Sequence, residues 1–97
     1  MRVEKTDVYR GWIDTLKDRT GRARILVHVE CLIAGNPGKH RDLIDGVSEL
    51  KIDFGPGYRV YCIQRGTRLL LLLAGGDKST QQKDIVMATQ LAKNFRE

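Results

Sequence analysis

Hydrophobic positions follow a helical rhythm in the first third of the chain and a strand rhythm after it. Val8, Trp12 and Leu16 recur at four-residue spacing, and so do Tyr9 and Ile13. Such spacing lines up one apolar stripe on a helix. Thr6 can cap this helix, with Asp7 in its first turn, and the pattern carries it to about Asp18. Thr20 can cap a second helix, through about Ala34, with the stripe Ile25, Leu26, Val29, Leu32 and Ile33. Gly35-Asn36-Pro37-Gly38 then stops it. Two helices joined so closely are expected to form an antiparallel pair. Met1–Lys5, ahead of them, reads as a short first strand.

Past Gly38 the period falls to two. Arg41–Ile44, Val47–Phe54 and Tyr58–Arg65 read as strands. Leu50, Ile52 and Phe54 alternate with Glu49, Lys51 and Asp53, so one side packs inward and the other faces solvent. Gly55-Pro56-Gly57 supplies a tight hairpin turn. Pairing Phe54 with Tyr58 sets Asp53 opposite Arg59 and Lys51 opposite Tyr61, and Glu49, Lys51, Asp53, Arg59 and Tyr61 then share one face. After a Gly66-Thr67 turn, Arg68–Ala74 with its five consecutive leucines reads as a strand buried on both faces, hence central. Gly75-Gly76 ends it, and Ser79 and Gln82 have the spacing of a capping box. A last helix runs to about Phe95, with Ile85, Ala88, Leu91, Ala92 and Phe95 inward. The order predicts an α+β fold, two N-terminal helices and a C-terminal helix packed on a small antiparallel sheet. The helices are expected on one sheet face, with the charged face left open.

Composition narrows the class without naming a function. At 97 residues the chain, 1–97, makes one domain and not two. Hydrophobic residues at 41% and charged residues at 30% are ordinary for a globular protein. A net charge of +5 favours an acidic partner, such as nucleic acid, an anionic membrane or an acidic protein. Cys31 and Cys62 lie inside apolar patterns and read as small buried hydrophobes, which fits a reducing cytoplasm better than a disulfide framework. The start Met1-Arg2 is polar, so no signal peptide is expected, and the apolar run Leu69–Ala74 is too short to span a bilayer.

Two places can carry chemistry. On the charged strand face, Arg59 presents a planar fork suited to phosphate, Lys51 a compact charge, and Tyr61 a ring or hydroxyl for nucleic acid. Lys51 among other cations can also serve as a base. The plainer reading is a solvated face with Asp53–Arg59 and Glu49–Lys51 pairs. The second place is Gly75-Gly76-Asp77-Lys78-Ser79-Thr80, which leads a buried strand into a helix N-terminus, where free N–H groups attract anions. It lacks the GxxxxGK[ST] spacing of a P-loop. It can equally be a well-capped loop, and it can bring Lys78 and Asp77 toward Lys51 and Arg59. Lys39-His40-Arg41 forms a basic loop able to meet an acidic partner. His28 and Trp12 read as structural, and Arg19, Arg22 and Arg24 as a solvated helix start. No metal-ligand spacing and no nucleophile elbow occurs.

Four motifs in order resemble a known family. They are Leu32-x2-Gly35-Asn36, Gly46-Val47-Ser48-Glu49-Leu50, Gly55-Pro56-Gly57-Tyr58-Arg59-Val60-Tyr61 and Leu72-x2-Gly75-Gly76-Asp77-Lys78-Ser79-Thr80-Gln81. Over nearly the whole chain the sequence resembles the phage-derived addiction-module killer proteins of the RelE/ParE superfamily, close to HigB-type toxins. The resemblance implies the toxin of a type II toxin–antitoxin pair. Its expected activity is ribosome-dependent, metal-independent cleavage of mRNA in the ribosomal A site, without cofactor. Its expected partner is an Xre-type helix-turn-helix antitoxin, with operator DNA reached only through that antitoxin, in the cytoplasm and away from membranes. The superfamily also contains gyrase poisons, so DNA gyrase inhibition is an alternative, and an inactive corepressor another. Carried over by motif, Arg59, Lys51, Lys78 and Glu49 are the expected catalytic residues. Tyr61, Asp77, Ser79, Lys39 and Arg41 are the expected RNA contacts. Asp53 stands where RelE has a second lysine, Asp84 lies near the place of RelE's C-terminal tyrosine, and the HigB-type Asp-Tyr-His tail is absent. The acid and base are therefore open.

Overall fold

The computed structural model describes residues 1–96. The elements run β1 (Arg2–Lys5), α1 (Asp7–Thr15), α2 (Arg19–Ile33), β2 (His40–Asp42), β3 (Val47–Ile52), β4 (Tyr58–Arg65), β5 (Leu69–Gly76) and α3 (Gln81–Asn94). Short 3-10 turns occupy Ile44–Gly46 and Lys78–Thr80. One five-stranded sheet has the order β1-β5-β4-β3-β2. Neighbours are antiparallel except β1, which lies parallel to β5. The fold is the expected α+β arrangement of three helices on a mostly antiparallel sheet.

The layering differs from expectation. Leu50, Ile52, Val60, Cys62, Leu70 and Leu72 pack under Tyr9 and Ile13 of α1 and Ile25, Val29 and Leu32 of α2. On the opposite face, Val47, Tyr61, Ile63, Leu71 and Leu73 pack under Ala88 and Ala92 of α3. So α3 crosses to the other side, and the second face is only partly open. The leucine run explains why. Leu69–Leu73 is buried on both faces, and an apolar strand of that kind needs cover from both sides. β5 is an inner strand, while β4 holds the middle position.

The hairpin register is Ile52↔Tyr58, Lys51↔Arg59 and Glu49↔Tyr61, two residues from the expected pairing. A two-residue shift keeps every side chain on its face. β2 begins at His40 instead of Arg41, and β3 stops at Ile52, where the turn begins. Strand β5 runs through Gly75-Gly76 instead of breaking there. A bulge at Tyr61/Cys62 turns Gly75 toward α1. A Cβ there would sit 2.1 Å from the Trp12 ring, so the indole occupies the space a side chain would need.

Caps also moved. Thr6 accepts from the Tyr9 N–H at 3.1 Å, as expected, but α1 ends at Thr15. Asp18, not Thr20, caps α2, accepting from the Gly21 N–H at 2.9 Å and from the Tyr58 hydroxyl at 2.7 Å. Those two bonds, the backbone one first, hold the Asp18 carboxyl below the usual carboxylate range. The Ser79–Gln82 box does not form; Asp77 and Thr80 make the reciprocal box around the 3-10 turn. Cys62 is buried, and burial pushes its thiol up to about 12, whereas Cys31 is exposed, contrary to expectation. No helix among the described residues is long and apolar enough to cross a membrane.

Candidate anion-binding site

The part of the second sheet face that α3 leaves open forms a cleft with two lobes. One lobe, ≈ 390 Å³, is lined by Lys39, His40, Arg41, Glu49, Lys51, Arg59 and Gln81. The other, ≈ 400 Å³, is lined by Lys51, Asp53, Phe54, Gly55, Pro56, Gly57, Arg59 and Lys78. Lys51 and Arg59, cross-strand partners on β3 and β4, belong to both. The loop after β5 folds over the hairpin turn, its Lys78 N–H donating to the Pro56 carbonyl at 3.4 Å. Lys78 therefore joins Lys51 and Arg59, as the sequence suggested. Among the described residues the lining holds five cations and two carboxylates.

Arg59 lies at the bottom. It is 6% exposed, and its Nη1 donates to the Gly57 carbonyl at 2.7 Å. Its Nε is buried without a hydrogen-bond partner, and no carboxylate pairs with it among the described residues. The expected Asp53–Arg59 pair does not form. A buried guanidinium without a counter-ion is costly, and an anion in the cleft would relieve it.

Glu49 takes a different part from the one expected. It is 3% exposed, accepting from Arg41 Nε at 2.7 Å on one oxygen and Gln81 Nε2 at 3.0 Å on the other. Burial raises its pKa, but the bonds from Arg41 and Gln81 outweigh this and hold it below the usual range. An ionised carboxylate with both oxygens engaged is a poor proton acceptor. Glu49 is a support that ties β2 and α3 to β3 and aims Arg41. Gln81 went unrecognised because a glutamine in a first helical turn carries no chemical signal until its partner across the sheet is known.

Tyr61 is a second correction. It is fully buried beneath α3 and offers no ring face to a base. Burial, then the neighbouring Glu49 carboxylate, push its phenol upward, so it stays neutral. Asp77 and Ser79 bond to each other in the cap and do not line the cleft. Lys39 and Arg41 do line it, and Lys39 also bridges to Asp53. Another concavity of ≈ 340 Å³, between the end of α2 and β2, mixes apolar and polar groups without a cluster of like charge. No group of three or more metal-ligating side chains occurs among the described residues.

No family model matches the chain. A protein of Haemophilus influenzae (strain ATCC 51907 / DSM 11121 / KW20 / Rd), described as "Uncharacterized protein", is 41% identical over 95 residues, covering 98% of this chain and 96% of that one. With identity of that level along the whole length, the chain belongs to the same family as this Haemophilus influenzae protein.

Proposed function

We propose that the protein is the toxin of a type II toxin–antitoxin pair and cleaves mRNA in the ribosomal A site. The observation that carries this reading is Arg59, a buried guanidinium with no salt bridge among the described residues, lining an open cleft with Lys51 and Lys78. Such a group is preorganised for a phosphate. The four motifs that resemble RelE/ParE toxins support the same reading.

In this mechanism an mRNA 2′-hydroxyl attacks the adjacent phosphorus, and the bond to the 5′ oxygen breaks. Arg59 and Lys78 stabilise the charge that builds on the phosphate oxygens. Glu49 is occupied and Lys51 is an ammonium paired with Asp53, so Lys51 assists by stabilising the 2′ oxygen as its proton leaves to water, and water returns a proton to the departing 5′ oxygen. The nucleophile is internal to the RNA, so the proposal calls for no metal or cofactor. An Xre-type helix-turn-helix antitoxin would neutralise the toxin in the cytoplasm, and operator DNA would be reached only through it.

Mapping mRNA ends after induction tests the reading. Wild type should produce codon-linked cuts, and Arg59→Ala should lose them by a factor of 10²–10³, since a donor of this kind is worth about 3–4 kcal/mol. Full cleavage by a folded Arg59→Ala variant would sink the site assignment. Intact mRNA with a supercoiling defect would transfer the target to gyrase.

A further inference from the structure

Asp53 is the one cleft carboxylate whose bonds are exchangeable. Its side chain is 48% exposed, and it bridges Lys39, from the segment before β2, and Lys51, from β3, the latter at 3.8 Å. Those lysine side chains are themselves 72% and 50% exposed. Glu49, the other carboxylate, is buried and doubly bonded. So Lys39 and Lys51 share one carboxylate from within the chain, while Arg59 at the bottom feels that carboxylate only at longer range, with no salt bridge among the described residues. A polyanion lying across the rim meets Lys39, Lys51 and Arg41 already paired with carboxylates. A phosphate that reaches the bottom meets Arg59 unpaired, and can then draw Lys51 from Asp53.

We propose that Asp53 is a specificity-determining residue, an internal counter-ion that makes binding depend on a phosphodiester reaching Arg59 and so favours single-stranded RNA over duplex. This rests on the proposed anion site. A flexible strand can push one phosphate to the base of a cleft. A duplex, stiff and wide, is confined to the rim. Weak exposed ion pairs are suited to the task, because an incoming phosphate can replace them at little cost.

The test is binding of a 2′-O-methyl RNA oligonucleotide, which cannot be cleaved, and of the same sequence as a duplex. Wild type, Asp53→Asn and Arg59→Met are compared across a salt series. Each newly available phosphate contact at about 0.1 M salt is worth roughly five- to tenfold in affinity. Asp53→Asn should therefore tighten both ligands, the duplex more than the single strand, with the duplex salt slope steeper by about one to two. Melting should leave the fold of Asp53→Asn unchanged. Unchanged or weaker binding, or an equal gain for both ligands, overturns the role of Asp53. Arg59→Met binding as tightly as wild type overturns the anion site itself, so the two failures are separable.

Discussion

Arg59 combines a full charge, 6% exposure and a single backbone acceptor, the Gly57 carbonyl at 2.7 Å. That combination sets stability against function. Arg59→Met keeps the volume and removes the desolvated charge, so it should raise stability by about 1 kcal/mol while abolishing the proposed RNA cleavage. Urea denaturation beside the cleavage map checks both halves, and a loss of stability would mean the guanidinium is better satisfied than its geometry indicates. Gly75 carries the opposite lesson. A Cβ there collides with the Trp12 ring, which also meets Tyr9 and Tyr58 with centroids 6.0 Å and 6.4 Å away. Gly75→Ala should cost about 2–3 kcal/mol by thermal melting, as overpacking does. Read along the chain, Gly75-Gly76 marked only a strand end. The indole that makes glycine necessary comes from 63 positions earlier.

Among the elements, the loop before α3 places Lys78 in the lobe that Lys51 and Arg59 line. Asp77 accepts from the Ser79 N–H at 2.8 Å and the Ser79 hydroxyl at 2.5 Å, while Lys78 reaches back to Pro56. Asp77→Ala should cost about 1 kcal/mol, seen as a fall of roughly 4–8 °C in Tm. It should also reduce the proposed mRNA cleavage about tenfold, the effect of roughly 1.4 kcal/mol from a misplaced Lys78. Unchanged cleavage at the lower Tm would free Lys78 from any role. A cap at this end was legible from composition, since Ser, Thr and Asp crowd the segment. The choice among them was not. Asp77 and Thr80 won because the 3-10 turn precedes the α-helix. At α2 the same ambiguity fell to Asp18, which has the Tyr58 hydroxyl of β4, on the sheet face that α2 covers, as a second donor. Strand alternation was read correctly for β3 and β4, because period two is a property of the backbone itself.

At the scale of the whole molecule, three carboxyls among the described residues are held below their ordinary range: Asp18 by its backbone and Tyr58 bonds, Asp53 first by Lys39, and Glu49 by Arg41 and Gln81 against burial. A group depressed in the folded state binds its proton more readily when unfolded. Its stabilisation is thus present above the unfolded value, near 4, and lost as pH falls through the folded one. Stability should decline below about pH 4. Glu49→Gln should be destabilised against wild type at pH 7 and converge with it in acid, as judged by urea titrations at pH 7 and pH 3. A constant gap would show that Glu49 acts through shape and not charge.

The chain by itself determined the helices, the hairpin, the two-faced leucine strand and the grouping of Glu49, Lys51, Asp53, Arg59 and Tyr61 on one face. Those follow from local periodicity, which each segment carries alone. Only the tertiary structure decided that α3 crosses to the charged face, burying Tyr61, and that Arg59 is buried with no salt bridge among the described residues. It also decided that Glu49 is a support and Asp53 a bridge. Burial and ion pairing depend on what lies across from a residue, and here the deciding neighbours come from β2, the hairpin turn and α3, elements distant in sequence from the strand face they complete.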